Sequence, residues 1–289
     1  MKMLKGVKVL SLALNLPGPA ALSRLRNMGA HCVKVEPPPA TPAGSADPMK
    51  SYAPAAYEAL HEGVRIVMAD LKTDKGRRKL AQELARTDVL LTSFRPAALK
   101  KLGLDWKSLH QQYPALNMVS IVGWPGARAD IPGHDLTYMA ENDLLNGLEL
   151  PPTLFADMAG ALLASEAVLQ ALLQRHAQGQ GIRHEVALAQ AAAWLAQPRR
   201  WGLTAARGAV GGAHAGYRVY ACKDGRVAVA ALEPHFAQAL CAAAGMKMSN
   251  MLAPATRKTL ESWFAQQTRR TLEALAQRLD LPLHTLAKS

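Results

Sequence analysis

Short apolar runs alternate with stretches of helical apolar spacing along the first two thirds of the chain. Residues 7–14, 32–36, 65–71, 88–93 and 116–123 are rich in Val, Leu and Ile and are bounded by turn formers, as buried strands are. Between them, 20–28 closes at Gly29 and 97–102 closes at Gly103, both with the period of a helix. Residues 74–85 follow Thr73, whose hydroxyl is suited to accept the first free helical amides. Strand, crossover helix and strand in this order pair in parallel with a right-handed connection. The pattern predicts an α/β domain built on a Rossmann-like parallel sheet. Residues 40–54, rich in Pro, Ala, Gly and Ser, are expected to form a loop.

The rhythm changes after Asp157. Residues 159–178 are rich in Ala and Leu and stop at Gly179, which predicts a long helix. Residues 183–188 read as a strand, and 189–196 as a helix halted by Pro198. The glycine-rich 199–216 are expected to be a linker. Two β runs flank Lys223-Asp224-Gly225-Arg226, a hairpin signal, and helices follow at 235–244 and 256–279. The expected organisation is a large α/β domain over 1–198, the linker, and a smaller α+β domain over 217–289. No run is expected to be long and apolar enough to cross a bilayer. The lysine-led apolar start is broken by Lys8 and by Asn15-Leu16-Pro17-Gly18, so it reads as a first strand and not as a secretory leader.

With 289 residues, 49% hydrophobic and 19% charged, the chain can bury a substantial core. Lys and Arg total 34 against 22 acidic residues, a net charge of +12 that favours an anionic partner. Nucleic acid fits poorly, because the basic residues are dispersed and no zinc-finger spacing or aromatic RNA-binding run is present. A phosphorylated small molecule fits better. No G-x-G-x-x-G follows the first strand, so a nicotinamide site is not expected. Cys32, Cys222 and Cys241 are isolated, without metal or redox spacing. Free thiols of this kind suit a reducing cytoplasm.

Candidate chemistry lies in Pro132-Gly133-His134-Asp135-Leu136-Thr137-Tyr138 and in Phe155-Ala156-Asp157-Met158-Ala159-Gly160. A histidine carries protons near neutral pH, and an aspartate serves as base or acyl acceptor. Taken alone, both are more often turn and cap residues than catalysts.

Further segments, in order along the chain, shift that balance. Gly6-Val7-Lys8-Val9-Leu10 precedes Pro17-Gly18-Pro19, and Gly29-Ala30-His31-Cys32-Val33-Lys34-Val35-Glu36-Pro37-Pro38 follows. Then come Ala69-Asp70-Leu71-Lys72-Thr73-Asp74-Lys75-Gly76, Ser93-Phe94-Arg95-Pro96 with Leu102-Gly103-Leu104, and Leu232-Glu233-Pro234-His235-Phe236. Together with the His134 and Asp157 segments, these resemble the class III CoA-transferase superfamily, and most closely its α-methylacyl-CoA racemase branch. The resemblance implies a CoA thioester substrate, with CoA arriving as part of the substrate and no permanently bound cofactor or metal. It implies that His134 and Asp157 are the two bases, with Glu233 orienting His134. Arg95 is the implied CoA contact, joined by Pro17, Arg65, Asp135 and Tyr138. The alternative within the superfamily is CoA transfer between carboxylic acids through an aspartyl anhydride at Asp157. A CoA-binding homologue without catalysis is a third reading. The superfamily forms interlocked homodimers, and its usual return segment after the equivalent of Leu281-Pro282-Leu283 is expected to be missing here.

Overall fold

The strands of the first unit are rich in apolar residues because helices cover both faces of their sheet. In the computed structural model, which describes residues 2–39, 46–247 and 249–288, six strands form one sheet: β1 (Lys8–Ser11), β2 (His31–Glu36), β3 (Arg65–Met68), β4 (Val89–Thr92), β5 (Asn117–Val122) and β6 (Arg183–Ala187). β4 and β5 are buried at every position, as parallel strands between two helical layers are. Every pairing is parallel, and the order is β3-β2-β1-β4-β5-β6. The chain steps outward from β1 to β3, returns to β4 beside β1, and steps outward the other way. That reversal opens a crevice at the carboxyl ends of β1 and β4, where open α/β sheets bind ligands.

The connecting helices are α1 (Pro17–Asn27), α2 (Pro48–Tyr52), α3 (Pro54–His61), α4 (Asp74–Leu84), α5 (Pro96–Lys101), α6 (Trp106–Gln112), α7 (Asp135–Glu141), α8 (Phe155–Gln178) and α9 (Leu188–Leu195). Strand alternation divides the core. Val9, Val89 and Val119 pack with α1, α8 and α9 on one face, and Leu10, Leu90 and Met118 with α4, α5 and α6 on the other. Gly18 lets α1 begin hard against the β1 loop, since a Cβ there would stand 2.1 Å from that of Ala13.

Several expectations are corrected. Part of the expected loop 40–54 is helical: Asp47 caps α2 by accepting from the Met49 amide. Residues 40–45 lie outside the described residues. Thr73 caps α4 as its position suggested, accepting from Gly76. α8 starts at Phe155 and not at 159, which places Asp157 in its first turn. Its 24 residues are also long and apolar enough, by length and composition, to cross a bilayer, contrary to expectation. Here the small buried face of Ala156, Gly160, Ala161, Ala164 and Ala171 packs on α1, α9 and the sheet.

The chain divides into two compact units, Met1–Ala196 and Gln197–Ser289. The second holds α10 (Gln197–Arg200), the antiparallel β7 (Tyr217–Cys222) and β8 (Gly225–Ala230), then α11 (Pro234–Ala243), α12 (Pro254–Ala265), α13 (Arg269–Leu279) and β9 (Leu283–Ala287). Residues 199–216, expected as a linker, belong to this unit. The single helix expected over 256–279 is two, because Thr268 caps a new start at Arg269. β9 completes a three-stranded sheet by pairing with β8.

Candidate active site

The crevice holds a cavity of about 160 Å3. Leu14 and Asn15 reach it from the end of β1, Pro17 from the start of α1, and Ser93, Phe94 and Arg95 from the end of β4. His134 and Tyr138 come from α7 and its N-cap, and Asp157 from the first turn of α8. Five residues singled out in the sequence therefore share one wall: Pro17, Arg95, His134, Tyr138 and Asp157.

Each is placed by local chemistry. The His134 backbone caps α7: its N–H donates to Thr137 Oγ1 at 3.1 Å, and its carbonyl accepts from the same hydroxyl at 2.7 Å. The residue lines the cavity. Leu154, at the N-cap of α8, supplies no side-chain cap. The Asp157 amide instead donates to Asp135 Oδ1 on α7 at 3.0 Å, which satisfies one of the orphan donors of that helix end. Burial pushes the half-buried Asp157 carboxyl up to about 7, with the Asp135 carboxylate adding to the rise. Tyr138 is 2% exposed and stacks edge-on against Trp124 at 4.8 Å. Burial raises its phenol to about 12, so it stays protonated at neutral pH. Gly123 leaves room for that hydroxyl, since a Cβ there would stand 2.6 Å from it. Arg95 is exposed and makes no ion pair among the described residues.

Not every residue assigned from the sequence faces this cavity with a polar group. Asp135, expected to contact CoA, is 3% exposed and holds the α8 amide, so it positions Asp157. Arg65, also expected there, opens β3 at the amino edge of the sheet, the edge away from the cavity. It pairs with Glu83 at 2.6 Å. Pro17 lines the cavity but offers no N–H, so its contact with a ligand is apolar. Glu233 belongs to the second unit, where it stands exposed before α11.

Asn15 was missed as a site residue. Its signal was an asparagine between a strand and Pro-Gly-Pro, since Asn tolerates left-handed backbone better than most residues. Glu36, Asp47 and His61 lie close enough together to hold a metal ion. The Lys34 ammonium already stands among them, 2.5 Å from Asp47, 2.8 Å from Glu36 and 2.9 Å from His61. A larger cavity of about 850 Å3 lies wholly within the second unit, lined by apolar residues with Arg218, Arg257 and His284 but no carboxylate.

Comparison with known proteins bears on this cavity. A family model described as CoA-transferase family III matches residues 4–288. The cinnamoyl-CoA:phenyllactate CoA-transferase of Clostridium sporogenes is 32% identical over 212 residues, which is 66% of this chain and 50% of that enzyme. The alpha-methylacyl-CoA racemase of Homo sapiens is 27% identical over 291 residues, covering 92% of this chain and 73% of the racemase. The crystal structure of a hypothetical protein from Mycobacterium tuberculosis matches with a TM-score of 0.82 at 26% identity, covering 98% of this chain and 85% of that one.

Proposed function

The chain belongs to CoA-transferase family III, and from that premise we propose that its cavity exchanges the α-proton of a 2-methylacyl-CoA thioester. One observation carries the choice: His134 and Asp157 line the same cavity, and the Asp157 carboxyl is held near neutrality. A group with a pKa near the working pH both takes and returns a proton efficiently. The thioester carbonyl acidifies the neighbouring C–H. One base removes that proton, the C–H electron pair becomes the enolate double bond, and the carbonyl electrons move to oxygen. The conjugate acid on the opposite face then returns a proton to the α-carbon, which inverts it. Asp157 and His134 take these two places. The Tyr138 hydroxyl, protonated at neutral pH as any phenol of its kind is, is a donor within the same cavity for the enolate oxygen. Arg95 offers a free guanidinium to the phosphates of CoA. The reaction calls for no resident cofactor or metal.

Activity rests on the whole protein, and the chain spans half the length of the Clostridium relative. A homodimer, read by light scattering at micromolar concentration, is part of the proposal. A reducing compartment such as the cytoplasm suits the three buried free cysteines.

A second reading is favoured by that relative, a CoA-transferase. There an Asp157 oxygen attacks the thioester carbonyl, CoA leaves as thiolate, and an acyl anhydride remains on the carboxylate. Two variants and a trap separate the mechanisms. Proton exchange requires both His134→Ala and Asp157→Asn to lower α-deuterium incorporation by about 10²–10⁴-fold. A hydroxylamine-sensitive adduct on Asp157, with no α-deuterium in the recovered thioester, would install the transferase instead.

A further inference from the structure

Asn15 walls the cavity in a backbone form that few residues adopt. Its φ is +62°, in the left-handed region, which asparagine enters more readily than most residues and in which hydrogen bonds hold it here. The holding group is Asp47. Its Oδ1 accepts from the Asn15 amide at 3.1 Å and from the Met49 amide at 3.0 Å. The Tyr52 hydroxyl, at the end of the helix that Asp47 caps, donates to Asn15 Oδ1 at 3.2 Å.

Asp47 is fixed in turn. It is fully buried, and its Oδ2 lies 2.5 Å from Lys34 Nζ, which is also fully buried. The same ammonium reaches Glu36 at 2.8 Å and His61 Nε2 at 2.9 Å. His61 Nδ1 lies 2.7 Å from the Tyr57 carbonyl. A carbonyl only accepts, so Nδ1 carries the proton and Nε2 accepts from Lys34. Burial lowers the His61 pKa, in keeping with a neutral ring beside an ammonium. Tyr57 completes the shell by donating to Glu36 at 2.8 Å. A buried cation between two carboxylates is a poor source of stability, because desolvation offsets most of its attraction. Such a cluster is a good way to fix one carboxylate oxygen in space.

We propose, resting on the reading of the cavity as an acyl-CoA site, that Asp47 anchored by Lys34 is a positioning residue for the reaction. It locks the Asn15 turn in its left-handed form and thereby fixes the cavity wall against which the thioester is presented to Asp157. Asp47 touches no substrate and acts through Asn15.

The test is a double-mutant cycle on the full chain. Asp47→Asn removes the charge that Lys34 holds. Asn15→Val makes the left-handed form costly while leaving the buried cluster intact, and Asn15→Gly enters that form freely. Asp47→Asn and Asn15→Val are each expected to lower kcat for α-deuterium exchange by about 10- to 100-fold, the scale of a small misplacement. KM and the calorimetric affinity for CoA should move less than threefold. Asn15→Gly should retain more kcat than Asn15→Val. Asp47→Asn combined with Asn15→Val should cost no more than either alone, since both act through one turn. Additive losses, or equal kcat in Gly and Val, would overturn the proposal, because a merely structural Asp47 predicts both. The HN–Hα coupling and carbon shifts of Asn15, read by NMR without substrate, separate this idea from the proposed reaction. They should report left-handed backbone in the native chain and its loss in Asp47→Asn. Unchanged values in that variant would end the proposal whether or not the native protein turns over.

Discussion

Asp157 sits under opposed influences. Its place in the first turn of α8 favours the carboxylate, while burial and the Asp135 carboxylate oppose it, and burial wins by raising the group from 3.8 to about 7. Between those values the folded protein keeps a proton that the unfolded chain releases, so this group makes stability fall as pH rises from about 4 to about 7. Asp157→Asn removes the effect. Discounted for partial exposure, the variant should be more stable than the native protein by about 1–3 kcal/mol at pH 8, with little difference at pH 3. Urea melts at the two pH values check this; an equal gain at both would contradict it. Arg95 makes a second prediction at this scale. Arg95→Ala should weaken CoA binding by about 1.5–3 kcal/mol, the loss of one charge-assisted contact, in a calorimetric titration. Unchanged affinity would remove it from the site.

At the scale of elements, a hydrogen bond from the Asp157 amide to Asp135 Oδ1 ties the start of α8 to α7. Asp135→Ala leaves that amide unpaired at a half-buried helix end and should cost about 1–3 kcal/mol, whereas Asp135→Asn keeps an acceptor and most of the stability. Thermal melts of the two variants distinguish this from a role for Asp135 in ligand contact alone, which would leave both as stable as the native chain. The same pair shows where sequence was legible. Strands such as 88–93 and 116–123 could be read because continuous burial writes itself as a short, mostly apolar run. The helix start at Phe155 could not, because Leu154 is no capping residue and the cap comes from Asp135 on another helix. α2 was hidden for a different reason: a Pro-rich composition reads as loop and masked a local signal, Asp47 as N-cap with Pro48 at the first helical position. Arg65 was placed at the cavity because a motif states residue order but not the edge of the sheet at which a strand begins. Lys34 gave no signal at all, since its three partners converge only in the fold.

For the whole molecule, the sheet order β3-β2-β1-β4-β5-β6 determines where chemistry sits. A single reversal of direction brings the loops after β1 and β4 together, and α7 and α8 deliver His134 and Asp157 to the same crevice. The strands alone would have allowed other orders, and it is the pairing of β1 with β4 that joins Asn15 to Arg95. The account's central claim, that this crevice moves an α-proton, is most directly tested by incubating the protein in deuterated water with one enantiomer of a 2-methylacyl-CoA. The recovered thioester should contain both enantiomers, with one deuteron at the α-carbon of the inverted product. A recovered thioester that is unlabelled and still a single enantiomer, from protein shown to bind CoA, would contradict the claim.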